Sequence, residues 1–215
     1  MERQAFCDPS AGGTFLSARF LLLFGPPGAG KGTQAGKIAS RLGIPHISTG
    51  EMFRDHLKRQ TSLGHRVREI LGQGCLVPNE ITNAMVEDRL SQADSARGCL
   101  LDGYPRNVLQ ARFLGELLQE RGHHLNGVLV LRVPDDILIQ RLHGRAIEQN
   151  RPDDADEMVV RSRLKTYREE SEPCLQHYRS VGVPVMEIDG VGTVEEVAGR
   201  FDLVLRNAEQ QCPDR

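Results

Sequence analysis

Short apolar runs alternate along the chain with longer stretches in which apolar residues recur at helical spacing. The runs cover residues 20–24, 46–48, 99–101, 128–131 and 185–188. Each is too brief for an independent helix. Most are apolar at consecutive positions, as strands covered on both faces should be. Between them, periodic stretches predict helices at 31–42, 51–60, 65–73, 80–92, 109–120, 135–143, 156–178 and 194–204. Strand feeding helix feeding strand is the pattern of an α/β fold, here with five parallel strands between helical layers. Two stretches hold more chain, or less apolar chain, than a crossover needs. Residues 48–77 carry two short helices and predict a small helical flap, and residues 145–151, with few apolar groups to bury, predict a short mobile lid.

Composition narrows the class. At 215 residues and 39% hydrophobic content, the chain can bury one substantial core but not two ordinary enzyme domains. A single domain over 19–207 is expected, with a loose N-terminal extension at 1–18 and a tail at 208–215. Twenty-seven basic against 29 acidic side chains leave a formal charge of −2, so no global field favours nucleic acid or an anionic membrane. Phosphate-binding charge must then be local, and arginine supplies 23 of the 27 cations. Its planar fork grips phosphate oxygens as a point charge cannot. The five cysteines form neither a CxxC pair nor a zinc spacing. An odd count suits free thiols in a reducing compartment, hence a cytoplasmic protein. No apolar stretch reaches the length of about 18 residues that a membrane span needs.

The densest chemical signal is Gly25-Pro26-Pro27-Gly28-Ala29-Gly30-Lys31-Gly32-Thr33, which follows an apolar strand and opens a helix. An ordinary glycine-rich turn would not combine strand, GxxxxGK and helix in that order. Glycines let successive amides face a phosphate, the helix start adds partial positive charge, and a lysine reaches the terminal phosphates. Gly28, Ala29, Gly30, Lys31, Gly32 and Thr33 are therefore candidate ATP-phosphate contacts. The hydroxyl of Thr33 stands one residue later than in the strict pattern.

This variant of the loop resembles that of the nucleoside monophosphate kinases, and Gln34 directly after Thr33 resembles adenylate kinases in particular. The resemblance extends over about residues 19–206 through five motifs in the family's order. It implies a phosphate-loop, three-layer fold with a short lid, and transfer of a phosphoryl group from ATP to AMP. It also implies Mg²⁺ accompanying ATP, no zinc, and a monomer whose partners are the two nucleotides.

In Ser48-Thr49-Gly50-Glu51-Met52-Phe53-Arg54, the Ser48 to Glu51 spacing is that of a capping box. A lone Arg54 would ordinarily be a solvated surface charge. The resemblance instead places Thr49 at the AMP base and Arg54 on the AMP phosphate. It puts Leu76 and Val77, within Gly74-Cys75-Leu76-Val77-Pro78-Asn79-Glu80, against the adenine. Asn79 stands where the family has aspartate and is expected to cap the helix that begins there. In Leu101-Asp102-Gly103-Tyr104-Pro105-Arg106, Asp102 resembles the strand-end aspartate that reaches Mg²⁺ through water. Gly103 and Arg106 belong with the AMP phosphate, and Gln110 matches the glutamine that hydrogen-bonds the AMP base.

Arg141 and Arg145 lie four apart and share a helix face. Alone, these and the later arginines would be surface charges with acidic partners. The motifs Leu142-His143-Gly144-Arg145, Arg151-Pro152-Asp153-Asp154 and Arg163-Leu164-Lys165-Thr166-Tyr167 resemble the family's lid region. They imply Arg141 over the ATP base and phosphates, with Arg145, Arg151 and Arg163 around the transferred group. Arg163 is preferred to Arg161 because Leu164 and Tyr167 follow it in the family's spacing, and a one-residue bulge after Asp154 is expected to absorb the extra residue. The segment around Val191 resembles the loop whose backbone meets the ATP base. AMP's own phosphate is the nucleophile, so no general base is expected.

Overall fold

The computed structural model describes residues 19–73, 75–148 and 156–211. Its strands are β1 (Arg19–Phe24), β2 (His46–Ser48), β3 (Gly98–Asp102), β4 (Leu125–Arg132) and β5 (Val185–Asp189). They form one parallel sheet in the order β2-β3-β1-β4-β5. From β1 the chain passes to the edge strand β2, returns to β3 between them, then crosses to β4 on the other side of β1. The reversal opens a crevice at the carboxyl ends of β1, β3 and β4, where open α/β sheets hold their ligands.

The helices are α1 (Lys31–Leu42), α2 (Thr49–Lys58), α3 (Ser62–Gly72), α4 (Asn79–Leu90), α5 (Val108–Glu120), α6 (Asp135–Glu148), α7 (Glu157–Thr166), α8 (Pro173–Ser180) and α9 (Val194–Gln211). Alternation along β1 divides the core into two layers. Phe20, Leu22 and Phe24 pack with Val86, Leu114 and Leu175 of α4, α5 and α8. Leu21 and Leu23 pack with Ala35, Leu138, Val160 and Phe201 of α1, α6, α7 and α9. With both faces covered, the central strands carry no polar alternation, the reason their apolar runs are continuous. The flap has its own small core, in which Phe53, Val67, Val77 and Met85 are buried.

Five helices start on side chains that accept a first-turn amide: Ser48 from Glu51 at 3.4 Å, Thr61 from Gly64 at 3.1 Å, Asn107 from Gln110 at 2.9 Å, Asp156 from Met158 at 2.8 Å and Thr193 from Glu196 at 3.2 Å. Asn79 departs from expectation. The cap of α4 is Pro78, which makes no side-chain bond, and Asn79 is already helical.

The single helix expected over 156–178 is interrupted by a π-helical turn, Tyr167–Ser171, between α7 and α8. Pro173 has no amide hydrogen to continue the i→i−4 ladder, and the Glu172 amide bonds instead to the Tyr167 carbonyl, five residues back, at 2.9 Å. The extra residue turns the Ser171 hydroxyl onto the Arg106 carbonyl at 2.9 Å. Helix α6 runs to Glu148 rather than 143, so the expected lid begins inside it, and α9 continues to Gln211 rather than 204. Arg151, the bulge expected after Asp154 and the extension at 1–18 lie outside the described residues.

Candidate active site

Residues 25–30 join β1 to α1 as a tight loop. At Gly28, φ is +83°, and a Cβ would stand 2.8 Å from the Leu138 carbonyl oxygen and 2.9 Å from Leu142 Cγ. Only glycine lets the loop lie this close to α6. Helix α1 begins after Gly30 with no side-chain cap, leaving its N-terminal amides and dipole for an anion. The Lys31 ammonium closes the loop by donating to the carbonyls of Gly25 at 2.6 Å and Pro26 at 3.0 Å. Burial lowers its pKa to about 8; Asp102 opposes that shift, while Arg106, Arg145 and Arg163 add to it. A lysine among three arginines is an arrangement that waits for negative charge.

Across the crevice, Asp102 ends β3, in register with Leu23 of β1 and Ser48 of β2. Burial works against its ionisation, but His46, Lys31 and Arg106 outweigh that and hold its carboxyl below the usual range. One Asp102 oxygen lies 3.7 Å from His46 Nε2, and Oδ1 is buried without a hydrogen-bond partner. An ionised strand-end carboxylate with an unsatisfied oxygen fits a water-bridged divalent cation. Among the described residues no three His, Cys, Asp or Glu side chains cluster as a metal site. The chain would therefore add one carboxylate to a coordination sphere made mainly by the nucleotide.

Gly103 follows at φ +76°. Its carbonyl accepts from the Thr49 hydroxyl and from Arg106 Nε, each at 2.8 Å. Burial lowers the Arg106 pKa, and Arg163 and Arg54 push it the same way against Asp102. Arginines from α2, the β3–α5 loop and α7 thus converge, although they are far apart in sequence.

These groups line one cleft of about 860 Å³. Its wall includes Gly28 to Thr33, Arg54, Leu76, Asp102, Gly103, Arg106, Arg141, Arg145 and Arg163. Arg141 also donates to the Gly190 carbonyl at 3.0 Å, joining α6 to the loop after β5. Arg161 points elsewhere, paired with Glu157 and 65% exposed.

Other expected site residues sit behind the wall. Thr49 and Gln110 are each 1% exposed, and Val77 belongs to the flap core. Gln110 Oε1 accepts from the Arg106 amide at 2.8 Å and Nε2 donates to Asn79 Oδ1 at 3.0 Å. Val191 is not part of the cleft surface, though Gly190 and Gly192 on either side are, and its carbonyl accepts from Arg200. Sequence reasoning passed over His46, Ser171 and the Asn79–Asn107 pair. Asn107 could have been read as a helix cap, and Asn79 was expected only as one; nothing local marks His46 or Ser171. Gln34, first noted only as a family mark, donates to the Val194 carbonyl at 2.9 Å and ties α1 to the start of α9.

The family model described as "Adenylate kinase" matches residues 23–183. The adenylate kinases of Mycobacterium sp. (strain MCS), Mycobacterium tuberculosis (strain ATCC 25618 / H37Rv) and Mycobacterium ulcerans (strain Agy99) are each 48% identical to it over 180 residues, 84% of this chain and 95% of each relative.

Proposed function

Because the chain belongs to the adenylate kinase family and so transfers the terminal phosphoryl group of ATP to AMP, we propose that the two halves of its cleft divide the two nucleotides between them. The observation that carries this is the convergence of Lys31, Arg54, Arg106, Arg145 and Arg163 on one cleft, with the ionised carboxylate of Asp102 among them. A site for one triphosphate would not need arginines on the flap side as well.

In this reading the amides of residues 28–33 and Lys31 take the ATP phosphates, and Arg141 and the backbone around Val191 border its base. Arg54 and Arg106 hold the AMP phosphate, with Leu76 and Val77 at the adenine and Thr49 and Gln110 selecting it. Arg145, Arg151 and Arg163 surround the phosphoryl group in flight. Magnesium would be held by ATP oxygens and, through water, by Asp102, where it neutralises phosphate charge.

An oxygen of the AMP phosphate attacks the γ-phosphorus in line. The bond to the β–γ bridging oxygen breaks, leaving ADP on each side. The cationic side chains offset charge spreading over the equatorial oxygens, and their fixed placement means little reorganisation at the moment of transfer. No described residue needs to remove a proton. Closing the flap over the acceptor excludes water that would hydrolyse ATP. A monomeric state stays with this proposal, as does cytoplasmic location, the latter supported by the free thiols of Cys75, Cys99 and Cys174 among the described residues.

The test is ADP formation from ATP with AMP, CMP, UMP and GMP in turn. Strong preference for AMP is expected; equal use of CMP or UMP would overturn the acceptor assignment.

A further inference from the structure

Three side-chain amides meet beneath the acceptor half of the cleft. Two backbone groups that can only donate show which atom of each amide faces which. The Arg106 amide hydrogen points at Gln110 at 2.8 Å, so the facing atom must be Oε1. The Gln110 amide hydrogen points at Asn107 at 2.9 Å, so that atom must be Oδ1. It follows that Gln110 Nε2 and Asn107 Nδ2 both face Asn79, as donors, and Asn79 Oδ1 accepts both, at 3.0 and 2.9 Å. Gln110 is 1% exposed, so solvent cannot compensate a reversed amide. A reversal would set Nε2 against the Arg106 amide and Oε1 against Asn79 Oδ1, donor on donor and acceptor on acceptor.

We infer that Asn79 is a positioning residue that, together with the Arg106 amide, holds the Gln110 amide one way round, and thereby makes the acceptor site select a 6-amino over a 6-oxo purine. The inference rests on the reading of Gln110 as the residue that meets the AMP base. After its internal bonds, Gln110 keeps one Nε2 hydrogen and one Oε1 lone pair. That donor and acceptor complement adenine, which offers N1 as acceptor and N6–H as donor. A 6-oxo purine presents the reverse, O6 as acceptor and N1–H as donor. A freely turning amide could serve either base; a pinned one serves adenine and leaves unpaired polar groups against the other. Asn79 does this through an oxygen that accepts two bonds, a task aspartate performs equally well. That accounts for asparagine at a position where the resemblance leads one to expect aspartate, and for its making no cap.

The experiment measures kcat/KM with AMP and with inosine 5′-monophosphate, which differs from AMP at this base edge, at saturating ATP. Asn79→Ala should lower the AMP-to-IMP preference on the order of ten-fold. The change should appear in the KM values of the acceptors, with kcat for AMP and the KM for ATP unchanged. Asn79→Asp should keep the preference within roughly two-fold. A merely structural tie between α4 and α5 would reduce both acceptors alike and would not be rescued selectively. Gln110→Ala separates the two levels of the argument. If it abolishes the preference and Asn79→Ala does not alter it, the inference is overturned. If Gln110→Ala itself leaves the preference intact, the base-reading role fails instead. Should Asn79→Ala not fold, the unmodified protein decides. The side-chain amide signals of Gln110 in nitrogen-15 spectra, identified by their loss in Gln110→Ala, should be shifted away from free glutamine and protected from exchange. Signals at free-glutamine positions would overturn the pinning.

Discussion

Thr49 and Gly103 are locked together at the edge of the cleft: the Thr49 hydroxyl donates to the Gly103 carbonyl at 2.8 Å. A Cβ on Gly103 would stand 2.9 Å from the Thr49 oxygen and 3.3 Å from Arg106 Nη2, at a backbone φ of +76° that other residues rarely adopt. Gly103→Ala is expected to displace Thr49 and Arg106 together. Steady-state kinetics should show kcat/KM for AMP falling by about 2–4 kcal/mol of transition-state stabilisation, with ATP binding little changed. Loss of ATP affinity with AMP spared would mean that the two nucleotide sites have been assigned the wrong way round.

Lys31→Met should nearly abolish transfer while leaving the thermal unfolding midpoint close to that of the unmodified protein. The lysine's two loop bonds are to the carbonyls of Gly25 and Pro26, and in the proposed reading its charge serves the phosphates rather than the packing. Near-normal turnover in this variant would refute the phosphate-loop assignment.

The pH dependence follows from the same residue. Burial lowers the Lys31 pKa from 10.5 to about 8. In the free enzyme the ammonium is therefore lost as pH rises through about 8, and kcat/KM for ATP should decline above it. Stability runs the other way. Between about 8 and 10.5 the unfolded chain binds more protons at this position than the folded one, so the Lys31 contribution to stability increases with pH over that window. Lys31→Met should remove both trends, which a pH–rate profile and denaturant titrations at several pH values would check.

Arg161 and Arg163 should behave oppositely. Arg161 pairs with Glu157 at the surface, and exposed i,i+4 pairs are worth about 0.3–0.5 kcal/mol. Arg161→Ala should leave turnover nearly unchanged. Arg163 lines the cleft and bears on both Lys31 and Arg106. Arg163→Ala should cost about 2–4 kcal/mol in the transition state. A larger kinetic loss in Arg161→Ala would reverse the choice between them.

Thiol labelling tests the cysteine assignments. Burial pushes the thiols of Cys99 and Cys174 up to about 12, and both are fully enclosed, whereas Cys75 is exposed. Cys75 should react with an aromatic disulfide in the native protein, and Cys99 and Cys174 only on unfolding. Reaction of Cys99 before unfolding would show the core opening locally around β3.

The alternation of apolar runs and amphipathic stretches was enough to place all five strands and the layered fold, because strands buried on both faces must be continuously apolar. The phosphate loop was equally legible: glycines, lysine and helix start are contiguous, so local sequence contains the whole device. Element ends were less so. The break at the π-turn follows from Pro173, whose missing amide hydrogen could have been noticed, but its use, placing Ser171 on Arg106, depends on a residue 65 positions away. The arginine cluster shows the same limit more strongly. Arg54, Arg106 and Arg163 are each indistinguishable from surface cations one at a time, and only packing of α2, the β3–α5 loop and α7 around one crevice makes them a site. Asn79 is the extreme case. As a residue at a helix start it reads as a cap, a purely local role. Its two hydrogen-bond partners come from a segment about thirty residues later, brought beneath the cleft by the sheet. Periodicity and contiguous motifs are written along the chain because they arise from neighbours. Hydrogen-bond partnership among buried side chains is decided by which elements the tertiary fold sets side by side.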